Sequence, residues 1–193
     1  SLLVQPKNLR AFLDQMSLPF VKESCRNERF NDEHAIFFEF AMLRDLWSTQ
    51  VSAHSDLARE MILEYLPKGP SWLRTCTIHE FNSYWGAVNP SKTTIQMPAN
   101  WSLPRMDAIE DHELFLSACL FKWSFNAKPD LVIRLSTNEA ICVELKLESG
   151  IGVYPSTKAD REVFKARSLK AIKQTEVQQF LMEDLLGIST HFI

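Results

Sequence analysis

The stretch from Pro129 to Glu148 constrains the chain more than any other. Leu131 to Leu135 is a short apolar run behind Pro129-Asp130. Ser136-Thr137-Asn138-Glu139 has turn composition, because such side chains hydrogen-bond their own backbone. Ala140 to Glu148 then alternates: Ile141, Val143, Leu145 and Leu147 fall on one face, and Cys142, Glu144, Lys146 and Glu148 on the other. A period of two is a strand period, and two such runs joined by a short turn predict a β-hairpin.

Helical patterns surround this hairpin. Leu9, Phe12, Leu13 and Met16 recur at helical spacing. Asn31 or Asp32 is placed to cap a helix running to about Trp47, with Ile36, Phe37, Phe40, Leu43, Leu46 and Trp47 on a wide apolar face. Asp56 to Leu66 predicts a third helix, ended by Pro67 and Gly69-Pro70. Trp72 to Trp101 is rich in strand-favouring residues and predicts two or three short strands. A helix is expected from about Met106 to Trp123, and a long one from Ala159 to Leu186 with Gly187 as its C-terminal cap. Thr190 to Ile193 reads as the opening of a strand. The expected architecture is α/β: a mixed sheet flanked by helices, with a helical and β-hairpin lobe over residues 1–105 and a core over 106–193.

Composition narrows the function. Hydrophobic residues make up 46% and charged residues 23% of the 193, typical of a folded globular chain. No run of about 18 apolar residues is present, so no membrane-spanning helix is expected. A net charge of −3 argues against a protein that coats nucleic acid through bulk positive charge, but leaves room for a local basic groove. Cys25, Cys76, Cys119 and Cys142 are widely spaced, with no CxxC pair. They read as reduced thiols rather than a zinc site or disulfide scaffold, and no signal peptide is evident. A cytoplasmic location is therefore expected. The five histidines show no ligand spacing, and the tryptophans are expected mostly in the core.

The chemistry gathers on Asp130, Glu144 and Lys146. Glu144 and Lys146 are two apart on one strand and share a face. A hairpin brings that face to Asp130 at the mouth of the neighbouring strand. Two carboxylates without histidine or thiolate form a hard, oxygen-rich donor set suited to Mg²⁺ or Mn²⁺. A lysine beside them can hold an attacking water. These parts suffice for metal-assisted hydrolysis of a phosphodiester. The competing reading makes Glu144 and Lys146 an ion pair on the solvent face of an amphipathic strand, and Asp130 a turn residue.

Lys128-Pro129-Asp130-Leu131-Val132-Ile133 followed by Glu144-Leu145-Lys146 resembles the PD-(D/E)xK nuclease superfamily. The resemblance spans roughly Met106 to Ile193 and implies a restriction-endonuclease-like fold. It implies that Asp130 and Glu144 hold the metal, that the Leu145 carbonyl assists, and that Lys146 serves the nucleophile. It also implies a glutamate from the preceding helix. Glu113 is the preferred candidate, Glu110 lies one turn away, and Glu33 and Glu39 are further alternatives. A glutamine on the following helix is another expected feature. Gln174 and Gln178 lie four apart, with Lys170 a turn before; Phe180 and Met182 stand where some members have tyrosine.

Residues 158–173 carry six basic and two acidic side chains. Beside a nuclease site they read as a phosphate-contacting helix, and otherwise as a solvated face. Lys170, Lys173, Gln174 and Gln178 are the expected nucleic-acid contacts. The expectation is a Mg²⁺- or Mn²⁺-dependent nuclease acting on nucleic acid, DNA ahead of RNA, with no membrane partner. A homodimer, or one part of a larger multidomain protein, fits such a chain. The alternative is an inactive nuclease-fold module that binds nucleic acid or protein.

Overall fold

The computed structural model describes residues 36–144 and 152–193. It is a mixed α/β structure, and its described residues fall into two compact units. The first gathers 36–40, 128–144 and 182–193; the second gathers 41–127 and 152–181. The expected boundary at 105/106 is not where these units part, because the chain returns to each of them. The expected helix at Leu9 to Met16 lies outside the described residues, as do Cys25, Glu33 and His34.

The first unit is built on a four-stranded mixed sheet. Its strands are β1 (Ile36–Phe38), β2 (Leu131–Arg134), β3 (Glu139–Val143) and β6 (Ser189–Phe192), in the order β1-β2-β3-β6. β2 and β3 form the expected antiparallel hairpin, with Leu131 opposite Val143 and Arg134 opposite Ala140. The turn closes where the N–H groups of Leu135 and Ser136 donate to the Glu139 carbonyl. β6 runs parallel to β3, Ile141 opposite His191, which bears out a strand at Thr190 to Ile193.

β1 corrects the expected helix from Asn31 or Asp32. Ile36 to Phe38 are aromatic and β-branched, and they pair antiparallel with Leu131 to Ile133. Glu39 then takes a φ of +46°, a left-handed conformation that ends the strand. On one side of the sheet Val132, Ala140, Cys142 and Met182 form a buried cluster, with Phe37, Phe40, Leu186, Ile188 and Phe192 packed around it. Ile141 is also fully buried, so β3 is covered on both faces and is not half-solvated. Burial of this kind removes apolar surface from water at about 25 cal/mol per Å².

The second unit is mainly helical. Its elements are α1 (Met42–Leu46) running into a wide turn at Trp47–Val51, α2 (Ser55–Tyr65), α3 (Ile78–Tyr84), α4 (Leu103–Met106), α5 (His112–Ser124), α6 (Lys158–Ala166) and α7 (Gln174–Gln179). A two-stranded sheet joins β4 (Val153–Tyr154) to β5 (Ile172–Lys173). α2 matches the expected third helix. The strands expected over Trp72 to Trp101 are not there; a short helical turn, α3 and an isolated bridge between Ala87 and Trp101 take their place. Thr77 and Glu80 explain this: each side chain takes the other's backbone N–H in a capping box, which starts α3 despite the β-favouring composition.

The helix expected from Met106 is two helices, α4 and α5, with Asp111 capping α5 through the Leu114 N–H at 2.6 Å. Asp107 and Ile109 between them accept from Arg167. The long helix expected over Ala159 to Leu186 is interrupted by β5: α6 stops at Ala166, and α7 runs on without a break into a π-helix over Phe180–Leu185. Gly187 does follow with a φ of +66°. An aromatic ladder fills the core, with Trp85 stacked on Trp101 at 5.2 Å and Trp101 leaning on Phe121. Four tryptophans are buried and Trp72 is exposed. Gly86 threads through this core with a φ of +72°.

Candidate functional site

Asp130 and Glu144 sit one step beyond the last paired residues of the hairpin. Continuing the Leu131–Val143 register by one places them opposite each other. Directly opposed residues of an antiparallel pair project from the same face, about 4.5–5.5 Å apart at Cβ. It is the face that carries Val132, Ala140 and Cys142, so the carboxylates stand at the end of the buried apolar cluster. Both are half-buried. This differs from the competing reading of a solvent face, in which Cys142 and Ala140 would be wet.

The backbone fixes both residues from outside the hairpin. The Glu39 N–H donates to the Asp130 carbonyl at 3.0 Å, and the Phe40 N–H to the Pro129 carbonyl at 3.1 Å. On the other side the Glu144 N–H donates to the Ile193 carbonyl at 3.2 Å, and the Ile193 N–H to the Cys142 carbonyl at 3.0 Å. Each carboxylate therefore rises from a strand held on both edges. Burial, with Glu183 near, pushes the Cys142 thiol beneath this face up to about 12. A thiol so held stays protonated at neutral pH.

Leu145 and Lys146 lie outside the described residues, as does Glu148. Glu113 belongs to the second unit, in the first turn of α5, where its carboxylate pairs with Lys68. Glu110 precedes α5 and does not share a helix face with Glu113. Glu39, an alternative of lower rank in the sequence, lies opposite Asp130 when the β1–β2 register is continued by one. Its carboxylate takes Lys128 at 3.1 Å. The signal for its placement was the β-favouring triplet just before it. Among the described residues, no group of three or more His, Cys, Asp or Glu able to hold a metal is present. The described part of the donor set is thus the opposed carboxylate pair. Two hard oxygen donors on adjoining strands fit Mg²⁺ or Mn²⁺ in kind.

The expected nucleic-acid contacts divide. Lys170 is exposed on the connection after α6, not on a helix with Gln174 and Gln178. Lys173 is exposed in β5. Gln174 opens α7, and its N–H donates to the Gly152 carbonyl at 2.7 Å. Gln178 is fully buried, which takes it out of direct reach of a strand. Arg167 is spent inside the protein, on Asp107, Ile109 and the face of Phe115. Among the described residues no helix is long and apolar enough to cross a membrane. No family model matches the chain, and neither does any curated protein or solved structure.

Proposed function

We propose that the protein is a metal-dependent nuclease of the PD-(D/E)xK kind, with a restriction-endonuclease-like core. The observation that supports this reading is the hairpin register, Leu131 opposite Val143, whose continuation by one residue would bring Asp130 and Glu144 opposite each other on one face. Asp130 and Glu144 would hold a Mg²⁺ or Mn²⁺ ion, with the Leu145 carbonyl beside them. When bound, that ion polarises the phosphodiester and stabilises the leaving oxygen. The backbones of Asp130 and Glu144 are held from outside the hairpin: the Asp130 carbonyl accepts from the Glu39 N–H, and the Glu144 N–H donates to the Ile193 carbonyl. Lys146 orients the attacking water and takes part in its deprotonation. Glu113, the further ligand that the resemblance implies, belongs to the second unit and pairs there with Lys68. The exposed Lys170 and Lys173 contact phosphates of the strand.

The test is incubation of the purified protein with labelled DNA and labelled RNA, in Mn²⁺ and in EDTA. Cleavage of DNA in Mn²⁺ that stops in EDTA is the expected result. Cleavage that persists in EDTA, or none of either polymer with Mn²⁺ or Mg²⁺, overturns the reading.

A further inference from the structure

Arg161 and Lys165 stand one turn apart on α6 and line the same groove, of about 360 Å³. Ser168 shares the wall, and Pro155, Phe164 and Leu169 give the groove an apolar floor. That volume falls within the range of small-ligand sites, about 300–1,000 Å³. Phe164 is held rigidly, because its ring packs on Phe115 and Trp123. Neither cation makes an ion pair or side-chain hydrogen bond among the described residues. Like charges at this helical spacing repel, and an anion between them turns repulsion into two attractions.

The last carbonyls of α6 accept within the protein: the Ser168 N–H donates to Lys165 at 3.0 Å and the Leu169 N–H to Phe164 at 2.8 Å. Ser168 holds a φ of +57°, at the position where helices usually end in glycine. Ser168 is also one of the residues that line the groove.

We propose that this groove binds a nucleotide unit. Its phosphate lies on Arg161, Lys165 and the Ser168 hydroxyl, and its sugar or base lies over the apolar floor. A free nucleotide and a nucleotide within a strand share this chemistry. The site does not depend on the carboxylate pair: its residues belong to the second unit, and phosphate recognition by these cations requires no metal.

Calorimetry on the full chain in EDTA tests this separately from cleavage. The probes are a nucleoside 5′-monophosphate, the matching nucleoside, and a 5′-phosphorylated single-stranded oligonucleotide. The nucleotide binds, and the nucleoside binds at least about tenfold more weakly, as loss of charge-assisted hydrogen bonds demands. Arg161→Gln with Lys165→Gln weakens the nucleotide about tenfold or more. Lys158→Gln, outside the groove, leaves it unchanged. Ser168→Gly keeps both cations and relieves the backbone, so it weakens the nucleotide while the melting temperature holds or rises. If the double variant also lowers the salt dependence of oligonucleotide binding, by about 1.4 in logarithmic slope, the ligand is a strand. If only the mononucleotide is affected, the ligand is a free nucleotide. Unchanged nucleotide affinity in the double variant, equal binding of nucleoside and nucleotide, or no nucleotide binding at all overturns the proposal.

Discussion

Arg167 lays its guanidinium 3.9 Å from the centre of the Phe115 ring while its Nε donates to Asp107 at 2.6 Å. Its Nη2 donates to the carbonyls of Asp107 and Ile109, both at 2.8 Å. One side chain thus ties the link between α4 and α5 to the end of α6. Arg167→Ala removes the fork and the stacking together and is expected to destabilise by about 2–4 kcal/mol, because two carbonyls lose their donor. Arg167→Lys keeps the charge without the planar fork and recovers less than half of that. Urea denaturation measures both; wild-type midpoints in both variants would refute the bracing role.

Asp130 and Glu144 carry the second prediction. Asp130→Asn and Glu144→Gln keep side-chain volume, remove the charge and replace one acceptor oxygen by an amide donor. Each is expected to lower Mn²⁺-supported cleavage by about 10³-fold or more, the loss of several kcal/mol of transition-state stabilisation. Melting temperatures should stay within a few degrees of the parent. A variant that cleaves at the parent rate contradicts the proposed role of that residue.

Gly86 is the third. Its φ of +72° disfavours any side chain, and an added Cβ would lie 2.8 Å from Met106 and 2.9 Å from the Ser102 carbonyl. Gly86→Ala is expected to cost about 2–4 kcal/mol, from the left-handed backbone and overpacking combined. Thermal unfolding reads this directly, and a neutral substitution would show that the neighbours yield.

Cys142 sets a pH dependence. The folded thiol holds its proton up to about 12, against 9.0 ordinarily, chiefly because of burial. The unfolded chain releases that proton at the lower value. The group's stabilising contribution is therefore complete below pH 9 and is lost as pH rises toward 12, by about 1.4 kcal/mol per pH unit. Stability measured under reducing conditions from pH 8 to 11 should fall more steeply in the wild type than in Cys142→Ala. Parallel curves would exclude the buried thiol as the source.

The hairpin was legible because its signal is local: period two, a polar turn, and a second apolar run of matching length. Its register, and so the opposition of Asp130 and Glu144, follows from those few residues. β1 was misread as helix because Ile36 to Phe38 find their partners nearly a hundred residues away, at Leu131 to Ile133. The breaks at residues 107–111 and 167–173 were hidden for a similar reason. Arg167 draws on Asp107 and Ile109, sixty positions back, and no pattern within either segment announces that. Two starts could have been read: Asp111 and Thr157 each cap a helix through an N–H three residues on. The groove on α6 was half visible, as an excess of positive charge. Which cations line it and which one braces the interior depended on tertiary contacts.

The interleaving of the two units has a consequence for how such a chain can be altered. Residues flanking position 40, position 127 and position 181 pass from one unit to the other. The carboxylate-bearing sheet therefore cannot be lifted out as one uninterrupted stretch and grafted onto another protein. Exchange of parts by recombination would have to carry both units at once, which binds their inheritance together.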